Sequence, residues 1–327
     1  MNRRRFLKTA AIAAALFPFA RIASALPSKF SDRGETIDLV SKTAFLMGSV
    51  VTFDIYCSDR RYALKVIDQA VKRVREIENR LSVYSNTSEV GILNQSKTQE
   101  LSHCSPDLIS MIQQSKQYSG LTTGLFDVTI EPLMRLYGFR NDETQSAAYP
   151  SDAQLKSFQD AIGFHHIHAE GNTVWLDNPV TQIDFGGIGC GYALDEIKSI
   201  FHHAGIKNGM VNFSGDILVL GNPPFAPQWE VEILNPKKPE SNKKILVSDV
   251  TVSTSGVYEN RRSSGNSSWG HIINPKSLKP EENIASVTVI SESSVAADVF
   301  STTLFIDGSL SGQLKQARHI NEMILVN

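Results

Sequence analysis

The chain has 327 residues, a formal net charge of -2 at pH 7, a hydrophobic fraction of 41% and a charged fraction of 20%. These are the proportions of an ordinary globular protein, and the charge balance offers no basic surface, so we expect no nucleic-acid partner. The three cysteines, Cys57, Cys104 and Cys190, lack the spacing of a zinc knuckle, although one disulfide could form. Without an internal repeat or a linker, the chain is expected to form a single domain.

An export signal is predicted over residues 1–25. The stretch RRRFLK (3–8) fits the twin-arginine pattern, an apolar run covers 10–20, and ASA (23–25) is a small-residue cleavage site. The apolar run is too short to span a bilayer as a stable helix, although an uncleaved anchor at the inner membrane is the alternative. We therefore expect a periplasmic protein whose mature domain covers residues 26–327.

The first half of the mature chain is predicted to contain one strand and two helices. Residues 26–42 are polar and are expected to be irregular, whereas the β-branched and aromatic run 45–57 predicts a strand. Apolar residues at helical spacing predict a helix over 62–81, and a polar loop is expected over 82–94. A second helix is predicted to begin at Pro106, with a serine at its N-cap.

The segment 184–195, DFGGIGCGYALD, predicts a glycine turn between a strand over 174–184 and a helix whose pattern starts at Tyr192. Glycine lets the backbone approach a ligand closely, and a helix N-terminus suits phosphate. A phosphate-bearing ligand is therefore one hypothesis, and a tight turn without a ligand is the alternative. Because Tyr192 replaces the last glycine of GxGxxG, a conventional dinucleotide fold is not expected.

The C-terminal third is predicted to contain strands followed by one helix. Residues 209–221 indicate two strands joined at a Ser-Gly-Asp corner, and 285–290 indicate another strand. His271 is expected at a strand end, where it could act as an acid, a base or a phosphate donor, or be structural. Ser294 can cap the following helix.

Two sets of residues in the chain could bind a metal. Asp298 and Thr302 lie four residues apart on the last predicted helix, so both face one side. Their oxygens suit Mg²⁺, and an exposed carbonyl such as that of Gly189 could complete the site, whereas a plain surface pair is the alternative. Three histidines within 165–168 could also bind a metal, although solvated loop histidines are the commoner case.

The ordered set of motifs is more specific than any of its members. Over nearly all of residues 43–308, this order resembles the ApbE family, the FAD:protein FMN transferases. In chain order the motifs are MGS (47–49), LSVYSNTSEVGILN (81–94), GLFDVTIEPL (124–133), DFGGIGCGYALD (184–195), NFSGDI (212–217), STSGVY (253–258), HIINP (271–275) and ADVFSTTLFIDG (297–308).

The resemblance implies an α+β fold, a single T-fold-like domain with FAD bound in a cleft between its two halves. Mg²⁺ would bridge the pyrophosphate of FAD. The enzyme would join FMN to a threonine or serine hydroxyl of an acceptor flavoprotein and release AMP. The family's acceptors suggest a subunit of a membrane redox complex or a secreted electron carrier.

The resemblance also implies roles for individual residues. His271 and Asp298 would be catalytic, His271 by positioning the phosphate or moving a proton. Ser301 falls where some members carry another metal-ligating acid. The residues implied to contact the flavin nucleotide are Met47, Tyr84, Leu125, Phe126, Asp127, Gly186, Tyr192 and Ile272. The residues implied to ligate Mg²⁺ are Gly189, Asp298, Ser301 and Thr302.

Three positions depart from the family pattern. Cys190 stands where many members have lysine, Asn274 replaces the aspartate of HIIDP, and Ser214 replaces the first glycine of a Gly-Gly-Asp. Cys190 and Asn274 favour one alternative, an exported carrier that keeps FAD intact. A further alternative is a pyrophosphatase that splits FAD into FMN and AMP, with water in place of the acceptor hydroxyl.

Overall fold

The computed structural model describes residues 20–22, 26–32, 35–140, 148–235, 237–256, 260–265, 267–316 and 320–326. Most of the predicted signal, 1–19 and 23–25, therefore lies outside the described residues, and the signal remains a prediction. Within the described ranges, no helix is both long and apolar enough to cross a membrane.

An eight-stranded antiparallel sheet is the centre of the fold, as expected for an α+β protein. The strands are β1 (Ala20–Ile22), β2 (Lys29–Asp32), β3 (Glu35–Leu46), β4 (Ser49–Cys57), β5 (Glu100–Leu101), β6 (Ile167–Glu170), β7 (Thr173–Leu176), β8 (Asn208–Phe213), β9 (Asp216–Leu220), β10 (Trp229–Ile233), β11 (Lys243–Val247), β12 (Thr251–Gly256), β13 (Arg261–Ser264), β14 (Ser267–Gly270), β15 (Ile273–Asn274), β16 (Lys279–Pro280), β17 (Ser286–Ser291) and β18 (Glu322–Val326). The order in the main sheet is β18-β17-β12-β9-β8-β4-β3-β2, and β1-β10-β11, β5-β7-β6, β13-β14 and β15-β16 form smaller sheets.

The helices supply most of the packing on this sheet. They are α1 (Arg60–Leu81), α2 (Glu89–Gln95), α3 (Pro106–Leu121), α4 (Glu131–Leu136), α5 (Asp152–Lys156), α6 (Gly189–His203), α7 (Ser294–Ile306) and α8 (Ser311–Gln316), with 3₁₀ turns over Gln159–Ala161, Phe164–His166, Pro239–Ser241 and Gly308–Leu310. α1 and α6 share a hydrophobic cluster with β3, β4, β8 and β9. α7 packs on α6, β12 and β17, so α6 and α7 lie side by side over the sheet.

The two longest predicted helices are confirmed because their local signals are strong. α1 begins two residues before the predicted start, because the Asp59 carboxylate accepts hydrogen bonds from the Arg61 and Tyr62 amides. Ser105 caps α3, and Pro106 is its first residue. α7 is capped by Ser293 and not by Ser294, one residue from the prediction.

The strand predicted over 45–57 is wrong as a single element. Met47 and Gly48 have φ values of 48° and 75°, and this two-residue turn reverses the chain so that β3 pairs with β4. The apolar residues on both sides of the turn concealed it. Residues 26–42, expected to be irregular, contain β2 and part of β3. β2 is an edge strand of the main sheet, and edge strands tolerate polar sequences.

The expectations over 82–94 and 174–184 are also corrected. α2 begins within the first range, capped by Ser88, whose hydroxyl accepts from the Gly91 amide; this helix is too short to show a clear period. In the second range β7 ends at Leu176. The Ile183 amide and carbonyl are instead bonded to the Asn94 side chain, at 2.7 and 2.8 Å, in place of a strand neighbour.

Candidate functional site

The glycine turn, residues 184–191, includes the first three residues of α6. The Asp184 carboxylate accepts a hydrogen bond from the Gly186 amide at 2.9 Å, which fixes the start of the turn. Ile188, the N-cap of α6, provides no side-chain hydrogen bond to the helix. The amide of Gly189, the first residue of α6, donates instead to the Phe185 carbonyl at 2.8 Å.

Gly191 allows α6 and α7 to approach closely. A Cβ at this position would lie 2.6 Å from the Ser294 carbonyl oxygen and 2.7 Å from the Val295 Cα, both backbone atoms that cannot move aside easily. The close approach brings Asp298 to the turn, where its carboxylate accepts a hydrogen bond from the Gly191 amide at 2.8 Å. The predicted metal ligand Asp298 therefore lies against the glycine turn.

Asp298 has an acidic neighbour that the sequence analysis missed. Burial raises the pKa of Asp298 well above its ordinary value, and the charge of Asp216, at the start of β9, raises it further. Burial also raises the pKa of Asp216 to about 6. Among the described residues, no ion pair involves either carboxylate. Two carboxylates without a basic partner favour a bound cation.

A chain of hydroxyl groups connects Asp216 to Thr302. Ser253 and Ser255 alternate on β12, so both point to the face that α7 covers. The Ser253 hydroxyl donates to Asp216 at 2.5 Å, and the Ser255 hydroxyl lies 2.8 Å from that of Ser301 and 3.3 Å from that of Thr302. The oxygens of this region are the hard donors that Mg²⁺ prefers, so the residues present fit that ion.

Ser301 was predicted as a metal ligand and Asp216 was not, yet both lie in this region, and the metal role of Ser301 remains a prediction. Ser301 is buried, and its hydroxyl donates to the Asp298 carbonyl at 2.9 Å, so it belongs to the hydroxyl chain. Asp216 was present in the NFSGDI motif, and its position after a tight corner in a buried strand pair was the available signal. In the described ranges, no three His, Cys, Asp or Glu residues are grouped to hold a metal.

Met47, Phe126 and Thr302 also meet the glycine turn. A Cβ on Gly189 would lie 3.2 Å from the Met47 methyl carbon. A Cβ on Gly187 would lie 3.4 Å from the Phe126 ring and 3.7 Å from the Thr302 hydroxyl. The structure thus brings predicted flavin and metal residues from four separate motifs to one turn.

Tyr192, Ile272 and Leu125 are buried beside these residues. Tyr192 and Ile272 belong to the same hydrophobic cluster as Phe126. The Tyr192 hydroxyl donates to the Asp107 carboxylate at 3.0 Å. The same carboxylate forms an ion pair with Arg73, so the Tyr192 hydroxyl is engaged inside the protein. Only the ring of Tyr192 remains for contact with a ligand.

Asp127 stabilises its own loop. One carboxylate oxygen accepts hydrogen bonds from the Thr129 amide and hydroxyl, at 2.9 and 2.7 Å, and the other accepts from the Phe164 amide at 2.7 Å. Burial raises the pKa of Asp127, and these bonds oppose that effect. Its role at the flavin, implied by the resemblance, would therefore be to shape the loop that carries Phe126.

Tyr84 is exposed and is held by Arg140, a residue that the sequence analysis did not identify. The side chain of Tyr84 is 74% exposed. Arg140 donates to its hydroxyl at 3.0 Å and to the Asp184 carboxylate at 2.5 Å. Arg140 lies just beyond the motif 124–133, and no local pattern distinguishes it.

His271 follows β14 and is largely enclosed. Burial lowers its pKa to about 4, although a hydrogen bond with the Asn260 backbone and the charge of Asp184 act to raise it, and Arg140 lowers it further. Its ring centre lies 6.4 Å from that of Phe139. At neutral pH His271 is therefore a neutral imidazole.

The structure gives reasons for two of the three departures. Ser214 has a φ of 53°, in the left-handed region that glycine favours, and its hydroxyl donates to the Val50 carbonyl. The Asn274 side-chain oxygen accepts from the Lys276 amide, and its side-chain nitrogen donates to the Glu281 carboxylate at 3.0 Å. An ionised aspartate could make the first bond but not the second, because it has no hydrogen to donate. Cys190 is half-buried, and like the other two cysteines it forms no disulfide.

Two further expectations find no support near the turn. His166 and His168 both bond the Asp177 carboxylate, at 2.5 and 2.7 Å, instead of forming a metal cluster within the described residues. The cleft for FAD between the two halves remains a prediction. Two surface depressions of the described chain lie away from the glycine turn. One is lined by Glu100, Glu170, Thr173 and Trp175, and the other by Tyr62, Gln69, Ser199, Ile200, His203 and Ala204.

Known proteins are similar to this chain in sequence and in fold. A FAD:protein FMN transferase of Vibrio cholerae is 28% identical over 267 residues, which cover 80% of each chain. One of Escherichia coli K12 is 27% identical over 93% of this chain and 87% of its own length. The solved flavin transferase ApbE from Vibrio cholerae superposes with a TM-score of 0.76 at 24% identity, covering 88% of this chain and 93% of that one.

A second structure extends the likeness in fold. The ApbE protein from Thermotoga maritima has a TM-score of 0.81 at 22% identity and covers 88% of this chain and 94% of its own. The model of the ApbE family matches residues 47–323, a range that contains the glycine turn, Asp216 and Asp298. This chain therefore belongs to the ApbE family.

Proposed function

We propose that this protein transfers FMN from FAD to a threonine or serine hydroxyl of an acceptor flavoprotein, with release of AMP and with Mg²⁺ at the site. The observation that carries the proposal is the buried Asp298, bonded to the glycine turn and close to a second carboxylate, Asp216, without a basic partner. The names of the curated relatives support the class of reaction.

The residues that would hold Mg²⁺ are Asp298, Thr302 and the carbonyl of Gly189, with Asp216 as a nearby second carboxylate. When bound, Mg²⁺ would supply positive charge that neutralises the pyrophosphate oxygens and the charge that develops during phosphoryl transfer. Without a cation, burial raises the pKa of both carboxyl groups, and the charge of Asp216 raises the pKa of Asp298 further.

In the proposed reaction, the acceptor hydroxyl oxygen forms a bond to the phosphorus of the FMN half. The bond from that phosphorus to the bridging oxygen breaks, and this oxygen leaves with AMP. The hydroxyl proton must also leave, and His271, a neutral imidazole at neutral pH, is the proposed residue that receives it or orients the phosphate.

The flavin half would lie against the exposed ring of Tyr84 and the side chains of Met47 and Phe126. The protein would act in the periplasm after twin-arginine export, free or held at the inner membrane. The RRRFLK stretch (3–8) supports this location. The acceptor would be a subunit of a membrane redox complex or a secreted electron carrier.

Intact-mass spectrometry tests the proposal. The mature protein is incubated with FAD, Mg²⁺ and a candidate acceptor domain, and the incubation is repeated with EDTA. The proposal expects an acceptor heavier by FMN less water, seen only with metal. Release of FMN and AMP without an adduct on any of several acceptors would identify a hydrolase instead. FAD bound but unchanged would identify a carrier, in which Cys190 and Asn274 are the residues to replace.

A further inference from the structure

Arg140 connects three segments that no sequence motif links. Its side chain is 9% exposed, and each guanidinium nitrogen has a partner. Nε donates to Glu131 at 2.8 Å, Nη1 to the Tyr84 hydroxyl at 3.0 Å, and Nη2 to Asp184 at 2.5 Å. The three partners come from the start of α4, the loop before α2 and the glycine turn.

Glu131 anchors the guanidinium from inside the protein. Its side chain is fully buried, and its second carboxylate oxygen lies 2.8 Å from Arg135 Nε in an ion pair that lacks hydrogen-bond geometry. Burial acts to lower the pKa of Arg140, but the charges of Asp184 and Glu131 more than offset this, so its pKa is raised. Arg140 is therefore a permanently charged group with a fixed orientation.

Tyr84 depends on Arg140 more than the other partners do. Tyr84 is 74% exposed, whereas the side chains of Glu131 and Asp184 are 0% and 11% exposed, so Tyr84 is the least enclosed of the three partners. The guanidinium carbon lies 4.9 Å from the ring centre, so it covers one face and leaves the other to a planar ligand. The same guanidinium bonds Asp184, whose other oxygen accepts from the Gly186 amide at 2.9 Å.

We propose that Arg140 is a positioning residue that holds the Tyr84 ring and the Asp184–Gly186 part of the turn in one geometry before the flavin binds. The inference rests on the proposed function, in which Tyr84 and Gly186 contact the flavin nucleotide. Arginine is required because its planar fork serves three partners in three directions, whereas the single ammonium of lysine does not. A preformed surface of this kind lowers the entropy cost of binding.

The test measures FAD binding in EDTA, where turnover is prevented, by the quenching of flavin fluorescence. Arg140→Lys is expected to weaken FAD binding by about tenfold, the loss of one charge-assisted hydrogen bond. The bound FAD should also be brighter, because a stacked tyrosine quenches flavin emission by electron transfer. Arg135→Gln is the matched control: this arginine forms an ion pair with the same Glu131 but is 49% exposed, and binding should change by less than about twofold.

A double-mutant cycle separates positioning from general stabilisation. If Arg140 acts through Tyr84, the variant Arg140→Lys/Tyr84→Ala should bind FAD nearly as well as Tyr84→Ala alone. Tyr84→Phe keeps the ring and removes only the hydroxyl that Arg140 contacts, so it should show a smaller loss of the same kind. Thermal unfolding of each variant checks that it is folded.

Three results would overturn the inference. Equal affinity and equal quenching in Arg140→Lys and the wild type would show that Arg140 does not position the ring. Additive effects in the cycle would show that Arg140 and Tyr84 act independently. Failure of the wild type itself to bind FAD, both in EDTA and with Mg²⁺, would overturn the proposed function as well, and this result is distinguishable because it appears before any substitution.

Discussion

The Asp298 carboxylate on α7 accepts a hydrogen bond from the Gly191 amide on α6, with 2.8 Å between nitrogen and oxygen. This bond joins the acidic side of the site to the glycine turn. It exists because residue 191 has no side chain, and the packing of two helices therefore determines where the carboxylate lies.

Replacing Asp298 by alanine should lower FMN transfer on the order of 100-fold, because the proposed metal ligand is lost where phosphoryl charge would develop. FAD binding in EDTA should stay largely intact. Asp195→Ala is the control, since this aspartate accepts from the Ser294 amide and belongs to the N-terminal cap of α7. It should lower stability by about 1 kcal/mol and leave the metal dependence unchanged. Full transfer activity in Asp298→Ala would contradict the metal role.

Asp216→Asn should stabilise the metal-free protein at neutral pH. The folded-state pKa of Asp216 is raised to about 6 from an ordinary 3.8. Its stabilising contribution is therefore complete below pH 3.8 and is lost as the pH rises through about 6, so above that pH the folded protein holds an unfavourable charge. Thermal unfolding in EDTA should show a higher midpoint for the variant.

The same variant should respond less to Mg²⁺. In the wild type, added Mg²⁺ should raise the unfolding midpoint, because an ion that binds only the folded state stabilises it. With Asn at position 216 this increase should shrink. An equal increase in both proteins would show that Asp216 takes no part in holding the cation.

Gly191→Ala should destabilise the protein by about 1–3 kcal/mol, the usual cost of inserting a methyl group into close packing. The new carbon would meet the Ser294 carbonyl at 2.6 Å and the Asp298 Cβ at 2.9 Å. Gly120→Ala near the end of α3 is the matched control, because a Cβ there meets nothing within 4 Å. The control should be neutral or more stable by up to about 1 kcal/mol in urea unfolding. Equal stability of the two variants would be inconsistent with the packing described.

His271 should make the folded state less stable in acid. Because folding lowers its pKa from 6.5 to about 4, the unfolded chain binds more protons than the folded chain between these values. This contribution to the free energy of unfolding therefore rises with pH across that window and is complete above pH 6.5. The raised pKa of Asp216 makes the free energy of unfolding fall with pH between 3.8 and about 6, which overlaps the window of His271. The effect of His271 is therefore measured as the difference between the wild type and a His271 variant.

The comparison uses His271→Gln, with His103→Gln at an exposed position as the control. Urea unfolding at a series of pH values should show a smaller rise in stability with pH for His271→Gln than for the other two proteins. Identical slopes in all three would mean that His271 is not buried as a neutral imidazole.

Local sequence was enough for the parts of this protein whose signals are contained in one stretch. The long apolar period of α1, the Ser-Pro start of α3 and the corner between β8 and β9 all depend on neighbouring residues. The spacing of Asp298 and Thr302 put both on one side of α7 without knowledge of the fold. Family membership was also visible in the order of the motifs, and the matched range 47–323 confirms it.

Tertiary structure decided what depends on residues far apart in the chain. Asp216 became a candidate because β9 and α7 bring its carboxylate close to that of Asp298. Arg140 became a candidate positioning residue because its guanidinium donates to Tyr84 and Asp184, which belong to two other segments of the chain. Asn94 replaces a strand neighbour for Ile183, and no pattern in 174–184 could indicate that. Local propensity acts over a few residues, whereas buried charges and close helix contacts are defined only when distant segments pack together.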